Sequence, residues 1–149
     1  PLFREWPFHI SLETLVLEGA IDLFWIDGEG LHLRDYKTGP RGSAPETLHE
    51  DQLRFYAVAA LRRIGEGCAS FGETPRAASQ TLPIPADLRI LYLRPPLQSV
   101  SVTFPETAQG LRELEQRILH AGENAANGPW PRGRGCARCP WRQTCGDAP

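Results

Sequence analysis

Gly19-Ala20-Ile21-Asp22 and, thirteen residues beyond that aspartate, Asp35-Tyr36-Lys37-Thr38-Gly39 flank the turn sequence Asp27-Gly28-Glu29-Gly30. Apolar residues lie on both sides of the turn, so the stretch reads as a β-hairpin. Centring it on Gly28-Glu29 sets Ile26 against Leu31, Phe24 against Leu33 and Asp22 against Asp35. One face then carries four apolar side chains and ends in two carboxylates. Lys37 joins that face, because residues two apart on a strand point the same way. Facing carboxylates repel, so a positive group belongs between them. A divalent cation with a preference for oxygen ligands is one candidate. Neutralisation by Lys37 alone, at a solvated sheet edge, is the other.

The 149 residues are enough for one domain with a real core. With 41% hydrophobic and 23% charged residues and a net charge of −2, the composition is that of an ordinary soluble globular protein. No stretch has the apolar length of a membrane span, and no signal-peptide pattern is present. The expected location is cytoplasmic. The chain opens at Pro1, without a Met and almost within a strand pattern, as a fragment of a longer protein would. Arg132, Arg134, Arg138 and Arg142 form a basic cluster near the C-terminus. Such a cluster can track phosphates on a slightly acidic protein, or be a solvated tail.

From about Trp6 to Leu17 the pattern alternates as one or two strands leading into the hairpin. Ser43 with Glu46 resembles a capping box. The helix after it starts there or nearer Leu48 and runs to about Ile64, with Leu53, Tyr56, Ala57, Ala60, Leu61 and Ile64 as its apolar stripe. Residues 65–86 read as a long loop or insertion. Leu88 to Leu93 and Ser99 to Phe104 are strands, and Thr107 to about Ala126 is a second amphipathic helix bearing Leu111, Leu114, Ile118 and Ala121 on one side. The expected architecture is α/β, a small mixed sheet flanked by helices. Residues 1–127 form the core and 128–149 an irregular tail rich in cysteine and arginine.

Read together, Gly19-Ala20-Ile21-Asp22, Asp35-Tyr36-Lys37-Thr38-Gly39 and Gln52-Leu53-Arg54-Phe55-Tyr56-Ala57 resemble the RecB-like branch of the PD-(D/E)xK nucleases. Glu5-Trp6-Pro7-Phe8 resembles that family's lead-in strand, and Ile90-Leu91-Tyr92-Leu93 fits a later one. The resemblance implies a restriction-endonuclease-like core, with Asp22, Asp35 and the backbone carbonyl of Tyr36 as ligands of Mg²⁺ or Mn²⁺. Lys37 would position the attacking water and stabilise charge on the phosphate. Gln52 would orient site groups, and Tyr56 would contact DNA or support the lysine. A core aromatic at Tyr56 and a surface glutamine at Gln52 are the plainer alternative. The family commonly supplies another metal ligand from an upstream helix, which this sequence lacks. His9 and His32 read as structural, whereas His49, one turn before Gln52, lies near the implied site.

Cys136, Cys139 and Cys145, spaced C-x₂-C-x₅-C, point to metal rather than disulfides in a cytosolic protein. They are similar to the three-cysteine set of iron–sulfur RecB-like nucleases, the AddB type and CRISPR-associated exonucleases. There a fourth cysteine before the core completes a 4Fe-4S cluster. No cysteine precedes the hairpin here; either the fourth ligand lies upstream of Pro1, or Cys68 substitutes, or the fragment holds no cluster, and zinc is the second choice. By resemblance the domain is a DNA exonuclease or end-processing module of recombination or repair. It would act on single-stranded DNA or DNA ends, associate with the nucleoid, and work beside a helicase subunit or upstream helicase domain. The rival readings are an inactive nuclease-like module that binds DNA or protein, and a zinc ribbon in the tail.

Overall fold

The computed structural model describes residues 2–42, 45–65 and 85–128. Five strands and two helices follow one another as β1 (Leu2–Leu12), β2 (Leu15–Asp27), β3 (Gly30–Lys37), α1 (Glu46–Gly65), β4 (Pro85–Tyr92), β5 (Gln98–Val102) and α2 (Ala108–Asn127). The strands form one sheet in sequential order, with β3 and β4 parallel and the other pairs antiparallel. This is the mixed, helix-covered sheet of a restriction-endonuclease-like fold. Ser43 with its capping-box reading, the loop 66–84 with Cys68, and the tail beyond Gly128 lie outside the described residues.

The central hairpin takes the expected register: Ile26 pairs with Leu31, Phe24 with Leu33 and Leu23 with Arg34. Its turn is locked by Asp27, whose Oδ1 accepts the Glu29 N–H at 2.9 Å, while Gly30 has φ 129°. Ahead of it the expected lead-in strands are a second long hairpin, β1 with β2, turning at Glu13-Thr14. A strict alternation does not survive along β2. Ile21 and Phe24 are both fully buried although they are three residues apart. In β1 the inward positions pass in the same way from Phe3 to Trp6, Phe8, Ile10 and Leu12. Glu5, at φ 44°, lies where that phase changes.

Gly19 of the hairpin motif faces Phe8, and a Cβ on it would stand 2.8 Å from the ring. The phenyl group thus lies over bare backbone, and its edge meets Tyr56 of α1 at a centroid distance of 5.7 Å. Helix α1 buries Leu53 and the run from Ala57 to Leu61. Ala57, Ala59 and Ala60 let it approach the sheet closely, while Val58 and Phe55 pack with Leu114, Ile118 and Leu119 of α2. The expected α2 stripe is right at Leu111, Leu114 and Ile118, but Ala121 is exposed and Leu119 is buried instead. Gly122 explains the change: its Cα seats against Leu15, with room for no Cβ, so the contact line follows the i, i+4 spacing from Ile118 to Gly122. The Thr107 side chain caps α2 by accepting the Gly110 N–H at 3.0 Å.

The sheet face opposite α1 carries a polar stack. Arg34 lies 4.7 Å from the Trp25 ring centroid, Trp25 stacks on His32 at 4.7 Å, and Arg34 pairs with Asp87. Burial pushes the Asp87 carboxyl up, but hydrogen bonds from Arg89 and Arg34 outweigh it and hold the group below its ordinary value. A lowered carboxylate adds stability above its unfolded-state pKa and loses it as pH falls through the folded one. Asp87→Asn is therefore expected to be less stable than the parent at neutral pH, with the gap closing below the ordinary carboxylate range. Thermal melts of both proteins across pH check this; a gap that widens in acid would refute it.

Candidate active site

Strand β3 leaves β2 after Arg34 and continues beside β4 as far as Lys37, which pairs with Tyr92. The regular β2–β3 ladder thus ends one pair short of Asp22 and Asp35. At the fork Asp22 Oδ2 accepts the Tyr36 N–H at 2.7 Å. The two carboxylates are not the simple facing pair that uninterrupted alternation implies, although Asp22 still repels Asp35 electrostatically.

Asp35 lies beneath α1 and is 2% exposed, with Ile90 as its strand partner. Its Oδ2 is in ion-pair contact with Lys37 Nζ at 2.8 Å, and among the described residues no further partner reaches that oxygen. Burial pushes the carboxyl up and Asp22 adds to the rise; Lys37 and His49 offset part of it. Lys37 Nζ donates to Gln52 Oε1 at 2.8 Å, and Gln52 Nε2 donates to the Tyr56 hydroxyl at 2.7 Å. The amide orientation follows from chemistry, since only its oxygen can face an ammonium. Gln52 and Tyr56, one turn apart, therefore steady the lysine from the helix while Phe8 backs Tyr56.

His49 also points toward these strands, with Nδ1 3.0 Å from the Tyr92 hydroxyl. Tyr36 is 39% exposed on the opposite sheet face, as strand alternation from Asp35 requires. His9 pairs with Glu18 at the surface. His32 is joined to Asp27 in the hairpin stack, where Asp27, Glu29 and His32 gather possible ligand atoms within 4.8 Å. Asp27 Oδ1 already takes the Glu29 N–H and His32 Nε2, so that cluster is accounted for by the turn. Glu5, read from the sequence only as part of a lead-in strand, falls opposite Asp22 in the β1–β2 register, between Arg4↔Leu23 and Trp6↔Ile21. Centring the first hairpin on Glu13-Thr14 would have found it. Cys68, Cys136, Cys139, Cys145, Arg132, Arg134, Arg138 and Arg142 lie outside the described residues.

An order of motifs, a mixed sheet and a buried acid beside a lysine agree with one family, and a family profile described as PD-(D/E)XK nuclease superfamily matches residues 1–146. The chain belongs to the PD-(D/E)XK nuclease superfamily. No curated protein matches it. Among solved structures, it is similar to one described as "Crystal structure of SSO0001", with a TM-score of 0.56 and 16% identity over 99% of this chain. The chain spans 61% of that protein's length. At this identity the likeness is one of fold. No described helix is long and apolar enough to cross a membrane.

The donor set suits the divalent cation that PD-(D/E)XK nucleases usually use. A desolvated carboxylate held by a single ammonium is costly, and a hard cation with oxygen ligands would relieve it. Ligand binding to the folded state raises stability by about 2.7 kcal/mol at a hundredfold excess over Kd. Added Mg²⁺ or Mn²⁺ is expected to raise Tm of this chain, and Asp35→Ala to remove most of the rise. Equal metal-induced shifts in both proteins would show that the cation binds elsewhere.

Proposed function

We propose that this chain is the cleavage domain of a Mg²⁺- or Mn²⁺-dependent deoxyribonuclease that hydrolyses phosphodiester bonds. The observation that carries the proposal is the buried Asp35 carboxylate in contact with a lysine that Gln52 fixes. Asp22, Asp35 and the Tyr36 carbonyl would hold the cation. Bound there, it would polarise the phosphoryl oxygen and lower the pKa of a coordinated water.

The chain's own residues supply the rest. The Lys37 ammonium is aimed from a strand and steadied from a helix, so little reorganisation is needed when negative charge grows on the phosphate. It would also orient the attacking water. In-line attack on phosphorus breaks the P–O3′ bond and leaves a 5′-phosphate and a 3′-hydroxyl. Gln52 is a positioning residue, acting through Lys37, and Tyr56 fixes Gln52 in turn. Asp35 contributes a burial-raised carboxylate whose charged form is worth most when paired with a cation.

Cleavage of labelled DNA should require Mg²⁺ or Mn²⁺. Removing a donor preorganised for transition-state charge costs about 10²–10³ in rate, and Lys37→Ala and Asp35→Ala should each lose at least that much with the far-UV CD spectrum intact. Gln52→Ala should lose less. Wild-type rates in both site variants would overturn the assignment. A parent protein that binds DNA and never cuts it would favour the inactive-module reading.

The finer biological reading is an exonuclease or end-processing domain of recombination or repair, cytoplasmic and nucleoid-associated, joined to a helicase. It rests on the RecB-like order of the motifs. Residues 1–127 would be the nuclease core, and the basic cluster Arg132, Arg134, Arg138 and Arg142 of the 128–149 tail would contact DNA phosphates. Cys136, Cys139 and Cys145 would hold a 4Fe-4S cluster with a fourth thiolate. Iron and acid-labile sulfide in anaerobically purified protein are the expected result; zinc in their place would make the tail a zinc site.

A further inference from the structure

The fork between β2 and β3 opens on the sheet face away from α1, where Leu2, Arg4, Glu5, Asp22, Leu23 and Tyr36 line a cavity of about 640 Å³. That volume lies within the range of small-molecule clefts, roughly 300–1,000 Å³. Its walls combine two kinds of surface. Leu2 is 55% exposed and Tyr36 39% exposed, an aliphatic and an aromatic surface left in water. Arg4 and Glu5 are exposed charged groups without a hydrogen bond or ion pair among the described residues. Glu5 is also held at φ 44°, a conformation that side-chain-bearing residues rarely adopt.

We propose that this cavity takes one unpaired base of a single-stranded nucleic acid, stacked on Tyr36, with its N–H donors on Glu5 and a neighbouring phosphate on Arg4. Apart from Asp22, whose Oδ2 takes the Tyr36 N–H, the lining offers the Glu5 carboxylate and the Arg4 guanidinium, which suits a neutral ring with its donors on the first and its phosphate on the second. Aromatic rings accept any base by stacking, and the carboxylate adds a preference. Guanine presents N1–H and the N2 amino group side by side, matching the two carboxylate oxygens. Both donors lie on the Watson–Crick edge, which a duplex occupies, so the pocket admits only an unpaired nucleotide.

Asp22 and Tyr36 belong both to this cavity and to the proposed cleavage site, one through its carboxylate and the other through its main chain. Resting on the nuclease reading, the pocket would hold a nucleotide next to the scissile phosphate and set the substrate as single-stranded DNA. The side chain and carbonyl of Tyr36 are separable, because Tyr36→Ala keeps the carbonyl.

The test is fluorescence anisotropy in chelator, where nothing is cut. The probes are a labelled oligothymidylate with one internal dG, its all-dT counterpart, and the dG strand annealed to its complement. The parent chain should prefer the single strand with dG. Because the aromatic ring is the stacking platform, Tyr36→Ala should bind the single strand about tenfold more weakly, with duplex binding little changed. Glu5→Gln should abolish the preference for dG over all-dT. Arg4→Ala should weaken all sequences alike and flatten the salt dependence. If Tyr36→Ala and Glu5→Gln, folded by CD, bind every probe as the parent does, the pocket assignment is overturned. Cleavage that persists alongside unchanged binding would overturn the pocket and leave the nuclease reading standing. Binding as expected, without cleavage in Mg²⁺ or Mn²⁺, would do the reverse.

Discussion

A carboxylate at 2% exposure, held against a single lysine, is the constraint around which this fold is arranged. Taking an ionised acid out of water costs several kcal/mol even after relaxation, whereas burying one Leu or Ile side chain returns about 1.5–3 kcal/mol. The cost is carried by the surroundings. Leu31 and Leu33 precede Asp35 on the same strand face, Ile90 lies beside it and Leu53 is buried above, all nearly or fully inaccessible. Apolar packing on that scale tolerates a desolvated acid that a small exposed hairpin would let hydrate. Lys37 recovers part of the cost through charge, and Gln52 and Tyr56 convert that charge into a fixed position.

The second organising feature is the parting of β2 from β3. Parallel pairing with β4 carries β3 three residues past its last regular bond to β2. Asp22 uses the opening to bind the Tyr36 N–H, and the change of phase near Glu5 turns both lead-in strands at the same level. One fork thereby serves two faces. Toward α1 it presents Asp35 and Lys37; away from α1 it presents Tyr36, Leu23, Glu5 and Arg4 around a cavity. Strand alternation makes this division unavoidable, since Tyr36 lies between two residues that face the helix.

Much of this was legible in advance. The hairpin register from Ile26↔Leu31 to Leu23↔Arg34 follows from the turn chemistry of Asp27-Gly28-Glu29-Gly30, which local geometry alone enforces. Helix positions such as Leu53, Ala57, Leu114 and Ile118 follow from their spacing. The reading failed where a residue's environment depends on a distant segment. Ala121 has the right spacing for the core but is exposed, because Gly122 admits Leu15 from the first hairpin. Asp22 has the right parity for a facing pair, but the pull of β4 on β3 ends the ladder before it.

By itself, then, the sequence determined the hairpin, the helices, the mixed sheet and the membership of Asp22, Asp35, Lys37 and Gln52 in one neighbourhood. The hairpin and the helices depend on periodicity and on turn residues, which act over a few positions; the place of Gln52 beside the site came from the family resemblance. Only the tertiary structure decided that Asp35 is desolvated while Tyr36 looks outward, and that Lys37 is tied to Gln52. It also brought Glu5 to the level of Asp22. Burial and cross-strand neighbours are properties of packing between segments far apart in the chain, and no local pattern encodes how deeply a given carboxylate will sit.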